Sequence, residues 1–167
     1  MLERKKEKDF FYKRLLVKIG VTAPIVNSRL LESLIELKKD TTRVSLSSAA
    51  GLALANNAFL MIDEDMLPER RKILGELQNN FRNLGRQKKD TIQWLQEAGN
   101  SANDSVLSLV TGCFQQQDID LKEEALYALR FISGSVTDSL IAMQLSMAIT
   151  DFPATLADVL RMRYPSA

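Results

Sequence analysis

The chain has 167 residues, 46% of them hydrophobic, which is enough for one compact domain or a short run of repeats. It has no histidine and one cysteine, so a structural zinc site and histidine-dependent catalytic triads are out of reach. The net charge of +1 is a smaller basic excess than a dedicated nucleic-acid binder usually carries.

The N-terminal segment is basic. Residues 1–18 hold seven Lys/Arg and three Asp/Glu, whereas residues 101–167 hold four and eight. Arg4, Lys5, Lys6, Lys8, Lys13, Arg14 and Lys18 form this basic start. Residues 1–9 read as a flexible arm, with nucleic acid, an anionic lipid surface or an acidic protein as its candidate partners. No apolar run follows the opening charges, so no secretory leader is expected. No segment reaches the ~20 apolar residues of a membrane span.

Residues 10–167 read as a single helical domain. Phe10, Phe11, Leu15, Leu16 and Ile19 suit a helix with one buried face, broken at residues 20–24 by Gly20 and Pro24. Asn27 or Ser28 then caps a helix to Lys39, striped by Leu30, Leu31, Leu34, Ile35 and Leu37. Asp40, Thr41 and Thr42 make a turn. Residues 45–61 predict a helix rich in Ala and Gly, suited to close approach by a neighbour. Asp63, Glu64 and Asp65 precede Pro68 and read as the acidic start of a helix rather than a metal loop. That helix is striped by Ile73, Leu74, Leu77, Phe81 and Leu84 and stopped by Gly85. Further helices are expected over 88–98, 105–117, 121–133, 137–150 and 153–163, with Asp120 and Glu123 placed as an N-cap pair. The expectation is an all-α protein of about eight helices, either a short solenoid-like stack or an irregular bundle. The lone Cys113 lies among apolar residues and reads as core, which fits a reducing cytoplasm, with the nucleus as the alternative.

One stretch nearly recurs. Residues 33–54 align with 108–129 at an offset of 75, with six of 22 positions identical. These are Ser33/Ser108, Leu34/Leu109, Leu46/Leu121, Ala50/Ala125, Ala53/Ala128 and Leu54/Leu129. Both copies read as helix, polar turn, then helix with small residues on its packed face. Long-range self-similarity is a mark of repeat architectures, and half of 75 is near the ~40–47 residues of armadillo and HEAT repeats.

The second helix of each copy resembles the last helix of an armadillo repeat, where the pattern Ala-x-x-Ala-Leu-x-Asn is favoured. Ala50, Ala53, Leu54 and Asn56 fill it; Ala125, Ala128 and Leu129 fill three places of the second copy, where Phe131 replaces Asn. The resemblance implies a concave groove in which Asn56 holds the backbone of an extended peptide. Asn56, Arg130 and Phe131 are thus the candidate partner contacts, with another protein or peptide as the partner.

Two other readings compete. Residues 13–58 fit a ribbon-helix-helix DNA-binding unit, with Leu15, Val17, Ile19 and Val21 on the core side of a strand. Arg14, Leu16 and Lys18 would then point into the major groove, and residues 43–47 resemble that family's entry to its second helix. The rest of the chain would be an oligomerisation domain. An enzyme is the other reading, but the charges at 88–90 and 118–124 are those of solvated helix faces, and no glycine-rich phosphate loop is present. The expected function is a non-enzymatic protein-interaction module, an adaptor or scaffold component that needs no cofactor or metal.

Overall fold

The computed structural model describes residues 2–40, 42–82 and 87–165, with side chains over 9–40, 42–79 and 87–165. The fold is all-α. Among the described residues there are nine α-helices, two single-turn 3-10 segments and no strand. The turn position Thr41, the stripe residue Leu84, the stop at Gly85, and the side chains of Phe81, Arg4, Lys5, Lys6 and Lys8 lie outside these limits.

The chain divides into two compact units, Met1–Leu77 and Gln78–Ala167, where the sequence predicts one domain over 10–167. Each unit has its own apolar core. Each core is built around one helix of small residues.

In the first unit, α1 (Leu2–Thr22), α2 (Ser28–Lys39) and α3 (Val44–Leu60) pack on one another, and α3 touches both others. Helix α1 begins at Leu2, so residues 2–9, read from their charge as an arm, form its first turns. The helix also overturns the ribbon. Its inward residues are Lys13, Leu16, Val17 and Gly20, spaced 3, 1 and 3, while Leu15, Ile19 and Val21 are exposed. A strand would put residues 15, 17, 19 and 21 on one face, and the observed burial has helical period instead.

Asn27 caps α2, its side-chain oxygen accepting from the backbone N–H groups of Arg29 (3.1 Å) and Leu30 (3.2 Å). Lys38 and Lys39 lie at its C-terminal end, where the helix dipole favours cations. Helix α3 buries Ala50, Ala53, Leu54, Asn57 and Ala58. A 3-10 turn over Glu64–Met66 leads into α4 (Leu67–Arg82). Ile73 and Leu77 of α4 complete the first core, and Lys72 pairs with Glu32 (3.1 Å) and Glu76 with Lys39 (2.9 Å).

In the second unit, α7 (Ile119–Ala128) packs on α5 (Lys88–Asn100), α6 (Leu107–Phe114) and α9 (Pro153–Arg163), and α8 (Ser135–Asp151) packs on α9. A 3-10 turn, Asp104–Val106, precedes α6. The cap of α7 is Asp118, not Asp120. Its carboxylate accepts from the N–H groups of Asp120 (3.0 Å) and Leu121 (3.3 Å), two and three residues ahead, as an N-cap must. Asp120 sits in the first turn and pairs with Lys88, as does Asp118 (2.9 Å). Phe152 is the joint between α8 and α9, and Pro153 opens α9, where the missing N–H is harmless.

Candidate functional site

Asn56, the residue singled out for peptide binding, is half-buried, and its amide donates to the Val21 carbonyl of α1. Its neighbour Asn57, passed over in the sequence, is wholly buried. The Asn57 amide nitrogen donates to the carbonyls of Gly20 (3.1 Å) and Ala23 (2.8 Å), and its oxygen accepts from the Ile25 N–H (2.9 Å). These bonds satisfy one carbonyl in the last turn of α1, one just past its end, and the Ile25 amide of the connector to α2. Asn57 is therefore the clasp of the first unit. Its position was readable, because 50, 53, 54, 57 and 58 form one 3–4 spaced face.

Above this clasp α1 lies close to α3. A Cβ on Gly20 would stand 3.0 Å from Leu34 Cδ2 and 3.3 Å from Ala53 Cβ. The second unit repeats the device at the matching alanine. A Cβ on Gly99 of α5 would stand 2.7 Å from the Cα of Ala128. Ala53 and Ala128 are 75 residues apart, the offset of the sequence echo, whereas Gly20 and Gly99 are 79 apart.

Arg130 is buried, at 5% exposure, and takes the clasping role in the second unit. Its guanidinium donates to the Asn100 side chain at the end of α5 and to the Tyr127 carbonyl (2.8 Å). It stacks 4.1 Å from the Tyr127 ring centroid and 4.9 Å from that of Phe131. Burial pulls its pKa below the ordinary arginine value. Phe131, half-buried, is thus one wall of an internal stack. Arg163 of α9 donates to the carbonyls of Leu129 (3.0 Å) and Ile132 just past α7, much as Arg70 of α4 donates to Ala58 (3.1 Å) in α3.

The basic residues fall into two groups. Lys13 (3.2 Å) and Arg43 (3.6 Å) converge on Asp9. Arg14 and Lys18 instead flank an open groove of about 690 Å³ between α1 and α3. Its apolar lining is Phe10, Phe11, Leu15 and Val17 from α1 with Leu46 and Ala49 from α3. Arg14 lies 5.7 Å from the Phe10 ring, and among the described residues no carboxylate lines the groove. Phe11 is 70% exposed. Such a surface can hold apolar side chains and screen an adjacent negative charge.

Little else in either unit suggests chemistry. Among the described residues no group of three His, Cys, Asp or Glu could hold a metal ion, and no helix is long and apolar enough to cross a membrane. Cys113 is buried, its thiol donating to the Leu109 carbonyl (3.6 Å), and burial pushes its pKa up, away from a reactive thiolate. Glu97, buried in α5, accepts from Gln93 one turn earlier (2.9 Å). Burial also raises the pKa of Glu124. No family model matches the chain, and no curated protein and no solved structure matches it.

Proposed function

We propose that the chain is a non-enzymatic protein-interaction module that binds through the α1–α3 groove. The observation carrying this reading is the groove's described lining: exposed phenylalanine and leucine side chains beside two cations. Apolar side chains held open to water beside ordered charge are the usual marks of a surface that another macromolecule covers. The same residues offer no acid–base pair, nucleophile or phosphate cradle.

We further propose that the two units are relatives of armadillo-type repeats. Supporting this are the shared burial of Ala50/Ala125, Ala53/Ala128 and Leu54/Leu129, and the glycine of an earlier helix set against Ala53 and Ala128. In this reading the contact surface moves from Asn56, Arg130 and Phe131 to α1, because those three side chains are engaged within their own units. The buried thiol suits a reducing compartment such as the cytoplasm or nucleus.

The test is affinity capture from cell extract with the intact chain and with Phe11→Glu, followed by quantitative mass spectrometry. Phe11 is exposed, so circular dichroism of the variant should match the parent. Loss of specific captured proteins by Phe11→Glu supports the groove, and an unchanged set of captured proteins overturns it.

A further inference from the structure

A recess of about 190 Å³ lies in the second unit, lined by Arg130, Phe131 and Ser133 from the loop between α7 and α8 and by Met162 and Arg163 of α9. Its two cations are almost wholly withdrawn from water, Arg130 at 5% exposure and the Arg163 side chain at 7%. A guanidinium carries five N–H donors. The bonds to Tyr127 and Asn100 occupy two on Arg130, and those to Leu129, Ile132 and Asp138 occupy three on Arg163. Three donors and two donors are then left without an acceptor among the described residues, and Arg163 Nε is one of them, buried and unpartnered. A buried donor with no acceptor is costly, and a charged one more so.

Two carboxylates act on these cations, and neither lines the recess. Asp138 accepts from Arg163 and from the Tyr164 hydroxyl (2.7 Å). Glu124 acts on Arg130 through space, its own side chain being bonded to Gln96. Ser133 adds an exposed hydroxyl. The next residue, Gly134 at φ +115°, is the N-cap of α8 and has no side chain to accept from the helix's first N–H groups. The positive end of the α8 dipole therefore opens one residue from the recess without a side-chain cap.

We propose that this recess binds a phosphoryl group. The site is separate from the α1–α3 groove and does not depend on it. The three oxygens of a phosphoryl group supply acceptors for donors that have none, and charge-assisted bonds to guanidinium are the strong kind. Both arginines are held in place before a ligand arrives, Arg163 by two carbonyls and Arg130 by Asn100, Tyr127 and the ring of Phe131, so little side-chain freedom is lost on binding. Phe131 and Met162 give the recess apolar walls. The carbon stem of a phosphorylated side chain can rest on them, whereas free phosphate places nothing there. The expected source is thus a phosphorylated side chain on a partner segment.

The probes are inorganic phosphate, a five-residue alanine peptide with a central phosphoserine and blocked ends, and the same peptide with serine. Each is titrated into the intact nitrogen-15-labelled chain at pH 7, with ionic strength held constant by NaCl. The signals followed are the backbone amides of Ser133, Gly134 and Ser135 and the Nε–Hε groups of Arg130 and Arg163. The phosphopeptide should shift these signals and saturate with Kd on the order of 1 mM, near the strength available to so small a ligand. Free phosphate should bind about tenfold more weakly, and the serine peptide should shift nothing. Ser133→Ala should weaken binding about threefold, the loss of one hydrogen bond. Met162→Glu puts a carboxylate at the recess from a position 37% exposed, and should weaken binding at least about tenfold with an unchanged circular dichroism spectrum. Ser133→Glu, at an exposed loop position, repeats that test if Met162→Glu does not fold.

Equal affinity for free phosphate and phosphopeptide upholds the site and assigns it to free phosphate. Shifts that grow linearly without saturating overturn the proposal. So do equal shifts by the serine peptide, undiminished binding by a folded glutamate variant, or shifts confined to Arg14 and Lys18 of α1.

Discussion

The two units place a small-residue helix at the same point of their cores but secure it with different chemistry. In the first, α3 rests on two neighbours, and a neutral amide, Asn57, ties the end of α1 to its connector. In the second, α7 has three neighbours, and a buried cation, Arg130, ties to the end of α5 between two aromatic rings. An amide offers both donors and an acceptor, so it can answer two carbonyls and an N–H at once. A guanidinium only donates, and it needs carbonyl, amide and π acceptors arranged around it. The difference teaches that the packing rule, small residues where helix backbones approach, is more restrictive than the polar clasp beside it.

The largest expected effect comes from the shared core position. Leu54→Ala and Leu129→Ala each remove a side chain with no exposure and should each cost about 2–5 kcal/mol in denaturant titrations. Values that differ by more than this spread would break the equivalence of the two cores. Next, Asn57→Ala strands two carbonyls and one N–H inside the first unit and should cost about 3 kcal/mol. Asn56→Ala loses one bond at the edge and should cost under about 1 kcal/mol. Equal losses at the two asparagines would undo the assignment of the clasp.

The glycines sharpen the comparison further. Gly99→Ala drives a methyl against backbone and should cost about 2–3 kcal/mol, whereas Gly20→Ala meets side-chain ends and should cost about 1 kcal/mol. The smallest effects are electrostatic. The Thr42 hydroxyl lowers the pKa of Asp40 in the first unit, and the Tyr164 hydroxyl followed by Arg163 lowers that of Asp138 in the second. A depressed carboxyl pKa adds stability that is complete above the ordinary value near ~4 and is lost as pH falls through the folded value. Asp138→Asn should therefore lower Tm slightly at neutral pH, and its difference from the parent should shrink below about pH 4.

Much of this architecture is legible in the residues. The apolar stripe of α2, the small residues of α3 and α7, and the echo between them mark helices that pack closely, and the structure buries the matched pairs Ala50/Ala125, Ala53/Ala128 and Leu54/Leu129, while Leu109 and Leu121 are only partly buried against the second core. Helix α1 was harder, because Leu15, Val17, Ile19 and Val21 alternate as a strand would; the inward choice of Leu16 and Gly20 is settled by α3, which lies far along the chain. The glycine contacts escaped the echo because the spacing from glycine to alanine is 33 residues in one unit and 29 in the other, so a fixed offset misaligns them. Asn56 and Asn57 are one residue and about 100° apart on a helix, enough to turn an expected peptide contact into an internal tie. The groove was invisible for another reason: Phe10, Phe11 and Leu15 look like core residues until the helix is seen to bury its opposite side.

The aromatic and thiol groups are unevenly divided. The single tryptophan, Trp94, and the single cysteine, Cys113, both sit in the second core, and neither has a counterpart in the first. Intrinsic tryptophan fluorescence and thiol alkylation are therefore reporters of one half of the molecule. A fluorescence melt follows α5–α9 and is silent about α1–α3, whose stability must be read by a backbone signal such as ellipticity or amide exchange. The mismatch between the two signals, in a single heating run, is a direct measure of how differently the two cores come apart.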